Sequence, residues 1–176
     1  MGRKEGKYHL DVKIDKLTNS IVNTISGDSF YTDVHPISKL DLKNVSQKNG
    51  WQFSWLSESK LEDRQVFKLT IRDNPEIIQG LASMSDYDSY YYLHLVENAP
   101  FNLGRTKLYE GVAGNLFAFA CKLAWDKGYQ GFVSFTSKTK LIEHYERSIG
   151  ATHVGGQKMV IFPHEALSLI RKYFPN

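Results

Sequence analysis

The chain has 176 residues, of which 41% are hydrophobic and 23% charged, and its formal net charge is +3. These are the values of one ordinary globular domain, and a charge surplus this small gives no support to nucleic-acid binding. The single cysteine excludes an intrachain disulfide, and the sequence has no apolar run of the length that a membrane-spanning helix needs. We therefore expect one cytoplasmic domain over residues 1–176, without a signal peptide, a membrane partner or a metal-ligand pattern.

The first third of the chain is predicted to be mostly extended. Apolar and polar residues alternate over 8–14, which is typical of a strand with one buried face. Strands at 20–26 and 29–35 flank a Gly-Asp pair that favours a hairpin turn. Ser38 is a good N-cap for a short helix at 39–48.

Three aromatic residues follow at alternate positions, namely Trp51, Phe53 and Trp55. In an extended segment this spacing puts all three side chains on one face. Two interpretations stay open. The face covers an edge of the hydrophobic core, or it forms a wall of a pocket for an acceptor substrate.

The middle of the chain predicts an antiparallel meander, because strands at 66–72, 77–84 and 90–96 are separated by short polar turns. Helices and strands then alternate. We expect them in the order helix, strand, helix, strand and helix, at 112–127, 131–136, 138–148, 157–162 and 163–174. This order predicts a mixed α/β sheet.

The start of the helix at 112–127 is the most informative segment. Gly111-Val112-Ala113-Gly114-Asn115 places small residues where the first turn of a helix leaves N–H groups without backbone partners. With the positive end of the helix dipole, such a turn is suited to bind a pyrophosphate, and it is also suited to pack closely on a neighbouring strand. A P-loop and a dinucleotide fingerprint are excluded, because GxxxxGK(S/T) and GxGxxG are absent from it.

Three segments in the same order resemble the GNAT family of acyltransferases. They are Gly111-Val112-Ala113-Gly114-Asn115-Leu116-Phe117, then Lys127-Gly128-Tyr129, and finally Leu141-Ile142-Glu143-His144-Tyr145-Glu146-Arg147-Ser148-Ile149-Gly150-Ala151. The resemblance implies a GNAT-like α/β (α+β) fold, in which a mixed, mostly antiparallel central sheet is flanked by helices. It covers about residues 66–162, so residues 1–65 would be divergent strands in front of an acetyl-CoA-binding core.

The sequence departs from the family pattern at several positions. Leu108 stands where the family often has Arg or Gln, so Arg105 or Lys107 would have to supply the charge. One extra residue precedes Gly150, and Ala151 replaces a common aromatic. The loop before the small-residue turn is longer than usual. The N-terminal strands do not match the family's helical substrate region, so they do not identify the acceptor.

The resemblance implies an N-acetyltransferase that moves an acetyl group from acetyl-CoA to an amine by direct attack, with no metal. Acetyl-CoA would be held by the turn named above, that is by Gly111, Val112, Ala113, Gly114 and Asn115. A strand amide near Val96 would stabilise the oxyanion, and Lys138 would pair with a CoA phosphate.

Two further residues receive catalytic roles. Tyr145 matches the family's acid, which protonates the sulfur of CoA. Glu97 ends the central strand, where the acceptor is expected, and is the first candidate for the base, with His94 as the second. His144 is expected to point away from the sulfur, because neighbouring residues lie about 100° apart around a helix.

Other functions stay open. A GNAT-like domain without turnover could bind acyl-CoA as a sensor or partner module, and a nucleic-acid-associated role has little support from the charge. The partner is expected to be a small-molecule or peptide amine, and a homodimer is compatible with the family. The sequence does not name the acceptor.

Overall fold

A computed structural model of the chain describes residues 8–15, 17 and 20–175. The strands are β1 (Ile21–Asn23), β2 (Ser29–Phe30), β3 (Thr32–Pro36), β4 (Gln65–Ile71), β5 (Asn74–Asp86), β6 (Tyr91–Asn98), β7 (Tyr109–Glu110), β8 (Val133–Thr136), β9 (Thr152–His153) and β10 (Lys158–Ile161). The helices are α1 (Lys39–Leu42), α2 (Trp55–Ser59), α3 (Val112–Asp126), α4 (Ile142–Ile149) and α5 (Pro163–Tyr173). Single 3-10 turns lie at Gln47–Asn49, Pro100–Asn102 and Thr139–Leu141.

Seven strands form the main sheet in the order β3-β4-β5-β6-β8-β10-β9. All neighbours in it are antiparallel except β6 and β8, which run parallel. A smaller sheet has the order β2-β1-β7. Helices flank the main sheet, so the expected α/β (α+β) fold with a mixed, mostly antiparallel sheet is confirmed.

The predicted helices and strands of the second half lie within four residues of the observed ones, while the first half differs more. Residues 8–14 form a single bridge, Leu10 to Ser137, in place of a regular strand. Ser38 caps α1 through a capping box with Asp41, as predicted, but the helix ends at Leu42. The aromatic segment is not extended throughout, because Trp55 begins α2.

The larger part of the core lies between the sheet and α3, α4 and α5. Helix α3 crosses β5 at Gly80, where a β-carbon would lie 2.7 Å from a methyl group of Val112. Because no side chain stands at that position, the helix packs directly on the strand backbone. A second cluster on the other side of the sheet surrounds Trp51 and Trp55.

Two absences apply to the residues that the structure describes. Within those ranges no helix is both long and apolar enough to cross a membrane. Over the same residues, three or more His, Cys, Asp or Glu side chains do not come together in a group that could hold a metal ion.

Candidate functional site

The main sheet opens between β6 and β8. The parallel pairing of these strands consists of two residue pairs, Tyr91–Val133 and Tyr92–Ser134. Beyond them β6 continues to Asn98 without pairing with β8. A cleft therefore begins where the two strands separate. Helix α3 starts near one side of this cleft and α4 follows β8 on the other, so the fold brings residues from distant parts of the chain to it.

A β-bulge in β6 sets which side chains face which way. Met84 pairs with Leu93, and the preceding residue of β5, Ser83, pairs with Leu95, so His94 is an extra residue in β6. After the bulge, Leu95 packs with the tryptophan cluster and Val96 packs with the helices. In a regular strand Val96 would point to the same side as His94, and the extra residue in β6 breaks this alternation.

His94 is fully buried and neutral. Its Nε2 lies 2.8 Å from the hydroxyl oxygen of Ser85, and that hydroxyl donates to the backbone carbonyl of Asp63. Burial lowers the pKa of His94 from 6.5 to about 3, with the positive charge of Arg64 acting in the same direction. His94, the second candidate for the base, is not among the residues that line the cavity beside β6. Residues 95–98 of the same strand do line that cavity.

Glu97 is held by three hydrogen bonds from the aromatic segment. Its carboxylate accepts from the backbone N–H of Gln52 at 2.6 Å and of Phe53 at 3.3 Å, and from the indole N–H of Trp55 at 2.8 Å. The side chain is 6% exposed and lines the cavity. Trp51 and Trp55 are buried in the core, as the first interpretation of the aromatic segment expects, while Phe53 lines the cavity.

Tyr145 lies inside the helix-side core. Its ring packs against Phe117 and Phe135, with ring centroids 5.7 and 5.2 Å away. Its hydroxyl donates a hydrogen bond to the backbone carbonyl of Val12. Burial raises the pKa of Tyr145, and the carboxylate of Asp11 raises it further, so the phenol keeps its proton at neutral pH.

The first turn of α3 is covered by protein. Gly111 is the N-cap with φ 93°, a conformation that glycine adopts without strain, and no side chain caps the helix. The next four residues are buried, and a β-carbon on Gly114 would lie 2.5 Å from the hydroxyl of Tyr173 and 3.1 Å from Leu17. The turn that the sequence suggested to be open for a ligand is closed in this conformation, and its small residues serve close packing.

An acidic side chain of the protein lies at the start of this turn, where an anionic group of a ligand is expected. The N–H of Gly111 donates to the carboxylate of Asp15 at 3.2 Å, and the ammonium of Lys107 lies 3.0 Å from the same carboxylate. Asp15 thus shows that a negative group is accepted here. Lys107 was one of the two residues expected to replace the family's charged residue before the turn.

The other predicted residues contact the same stretch of chain. Lys138 forms an ion pair with Asp11, and its backbone N–H donates to the carbonyl of Leu10 at 3.1 Å. His144, which was expected to point away from the sulfur of CoA, accepts a hydrogen bond at Nε2 from the N–H of Ile14 at 2.8 Å. Residues 8–15, called the N-terminal segment from here on, therefore lie across the site. The sequence pattern gave no sign of this contact.

A cavity of about 720 Å³ lies between the N-terminal segment and β6. Its walls also include Asn98, Asn102, Lys107 and Lys138. A cavity of about 800 Å³ between α1, α2 and β4 contains none of the predicted site residues, and we place the site at the smaller one because the chemical groups converge there.

The sequence matches no protein-family model, and no match was found among curated proteins. Solved structures do match. The ribosomal-protein-S18-alanine N-acetyltransferase from Escherichia coli is 14% identical with a TM-score of 0.51, covering 73% of this chain and 90% of its own. A spermidine N-acetyltransferase chimera of Vibrio cholerae SpeG and hSSAT is 12% identical with a TM-score of 0.54, covering 78% and 98%. A mutant of the toxin AtaT, bound to the C-terminus of the antitoxin AtaR and acetyl-CoA, is 10% identical with a TM-score of 0.54, covering 78% and 97%.

Proposed function

Since the chain has the GNAT fold, we propose that it is an N-acetyltransferase, which moves the acetyl group of acetyl-CoA directly to an amine. The observation that carries this proposal is the opening of the sheet between β6 and β8, with the small-residue turn of α3 and Tyr145 beside it. The structural neighbours include N-acetyltransferases, and one of them holds acetyl-CoA. They support a chemical class for the site and leave the acceptor unnamed.

The proposed binding residues are those predicted from the sequence, that is Val96, residues 111–115 and Lys138. The position of Asp15 supports the fit of an anionic ligand, because a carboxylate already accepts from Gly111 and pairs with Lys107. Acetyl-CoA supplies the thioester. The N–H groups at the start of α3 would bind phosphate oxygens, with the helix dipole adding to the attraction.

Tyr145 is proposed as the proton donor to the departing sulfur. A free thiol has a pKa of about 8.5, while burial raises the pKa of Tyr145 above the ordinary phenol value of 10.0. The phenol therefore holds a proton at neutral pH. Its O–H group donates to the carbonyl of Val12, two residues after Leu10, which pairs with Ser137 just after β8.

Glu97 is proposed as the base, acting directly or through water. An alkylamine with a pKa near 10.4 is about 99.9% protonated at pH 7, so removing its proton is a necessary step. The three donors on Glu97 keep the carboxylate in place at the cavity wall. The replacement Glu97→Gln tests this role directly.

A second candidate is a GNAT-like module that binds acyl-CoA without turnover. One observation favours it, namely that the Tyr145 hydroxyl and the Glu97 carboxylate both make hydrogen bonds within the protein. In this alternative the two side chains are structural, and the cleft only recognises the ligand.

The test combines binding with turnover. Calorimetry with acetyl-CoA measures affinity, and release of free thiol is followed across polyamines, amino acids, small amines and peptides with free N-termini. Thiol release that depends on one amine class, and that Glu97→Gln slows, is the expected result. Binding without release on the whole panel favours the second candidate, and absence of binding rejects both.

A further inference from the structure

The N-terminal segment makes three sets of contacts with the proposed acetyl-CoA site. One set continues the sheet where β6 and β8 separate. The N–H of Leu10 donates to the carbonyl of Thr136 at 2.6 Å, and the carbonyl of Leu10 accepts from Lys138. Leu10 thereby pairs in parallel with the chain just after β8, in the space that β6 has left.

A second set lies at the start of α3. Asp15 places a carboxylate against the N–H of Gly111 and the ammonium of Lys107. This is the position at which the small-residue turn would receive the phosphates of a ligand. The side chain of Asp15 is 18% exposed, so water reaches the pair only in part.

The third set lies on α4. The hydroxyl of Tyr145 donates to the carbonyl of Val12, and Nε2 of His144 accepts from the N–H of Ile14. The hydrogen that Tyr145 would give to a sulfur is therefore already used by the protein backbone. A ligand that needs this hydrogen has to displace residue 12 first.

We propose that the N-terminal segment is an internal competitor of acetyl-CoA, which closes the cleft between β6 and β8 and has to leave before acetyl-CoA binds. The inference rests on the proposed function, since it takes the identity of the ligand from it. This one stretch of chain supplies backbone hydrogen bonds, an anion at the start of α3 and an acceptor for the hydroxyl of Tyr145. It thus presents the cleft with the kinds of groups that the ligand would present.

The segment has the composition of a detachable strand. Leu10 and Ile14 are buried, with Val12 half-buried between them, and the alternate residues Asp11 and Lys13 are exposed. Its apolar face is short, and the opposite face carries charged residues. Its apparent effect on affinity follows from the fraction of molecules in which it is undocked, because acetyl-CoA binds only those.

One experiment locks the segment in place. Leu10 and Ser137 are bridge partners on neighbouring stretches, about 4.8 Å apart, which lies within the Cα separation of disulfides. The double variant Leu10→Cys with Ser137→Cys can be crosslinked by oxidation, and the native Cys121 is buried. We expect the oxidised form to bind acetyl-CoA at least about tenfold more weakly than the same protein after reduction.

A second experiment loosens the segment without touching its apolar anchor. Asp15→Ala removes the carboxylate at the start of α3 and should tighten acetyl-CoA binding about three- to tenfold. Asp33→Ala is the matched control, because Asp33 also pairs with a basic side chain, Arg72, at the far edge of the sheet. It should leave the affinity unchanged.

Amide exchange reports the segment directly. Saturating acetyl-CoA should speed exchange at the N–H groups of Leu10 and Ile14, whose acceptors are Thr136 and His144. Equal affinity of the oxidised and reduced forms, or unchanged exchange with acetyl-CoA bound, overturns the competitor and leaves acetyl-CoA binding intact. If no form binds acetyl-CoA, with or without the lock, the proposed function itself is overturned.

Discussion

Replacement of Tyr145 by Phe should slow turnover and tighten acetyl-CoA binding in the same protein. The change removes one hydroxyl and keeps the ring between Phe117 and Phe135. Loss of its hydrogen bond to Val12 weakens docking of the N-terminal segment by about 1 kcal/mol, which corresponds to about fivefold in affinity. Loss of the proton donor should lower kcat by roughly ten- to a thousandfold, or about 1.4–4 kcal/mol in the barrier.

Three measurements on Tyr145→Phe separate these effects, namely calorimetry with acetyl-CoA, steady-state thiol release and thermal unfolding. Tyr92→Phe is a matched control, because Tyr92 is also buried and its hydroxyl hydrogen-bonds to Thr136. The control should lose stability while kcat stays the same. If Tyr145→Phe behaves like the control, with a lower Tm and unaltered kcat and affinity, the hydroxyl is structural and both roles given to it are refuted.

Three further predictions concern other parts of the site. Glu97→Gln should lower kcat/KM and weaken the acidic limb of the pH profile of kcat/KM, and an unaltered profile removes the base role. It should also lower the free energy of unfolding in urea by about 1–3 kcal/mol, because an amide NH₂ would face N–H donors. Gly80→Ala should destabilise the protein by about 1–3 kcal/mol, since the new methyl group meets Val112 at 2.7 Å, and unchanged stability would show that α3 can shift. Acid should destabilise the protein through His94, because its pKa of about 3 in the folded state lies below the ordinary 6.5. The unfolded chain takes up this proton first, so the stabilising contribution is complete above pH 6.5 and is lost between pH 6.5 and 3, and the loss amounts to about 2 kcal/mol at pH 5. The variant His94→Gln should flatten that part of the pH dependence.

The second half of the fold was predictable from local patterns. Apolar periodicity and turn residues give α3, β8, α4, β10 and α5 because each of these elements buries one face or one stripe of its own residues. The short helix α1 was also predictable at its start, where Ser38 and Asp41 form a capping box, while its end was not. The helix ends three residues before Val45, which is buried in the cluster around Trp51 and Trp55.

The site was less predictable, because its geometry depends on long-range contacts. The bulge at His94 follows from how β6 meets β5, and alternation along one strand cannot show an extra residue. The triple hydrogen bond on Glu97 joins residues 42–45 positions apart. Residues 8–14 do alternate as a strand should, but the pattern carries no information about where such a strand lies.

The contacts of the N-terminal segment also set an order in time during synthesis. The hydrogen bond between Val12 and Tyr145 joins residues 133 positions apart, and the one between Ile14 and His144 spans 130. At roughly 5–20 residues per second, a ribosome needs about 7–27 s to make the chain between the two partners. The segment thus leaves the ribosome well before its partners on α4, and β4, β5, β6 and α3 are all made before it can dock.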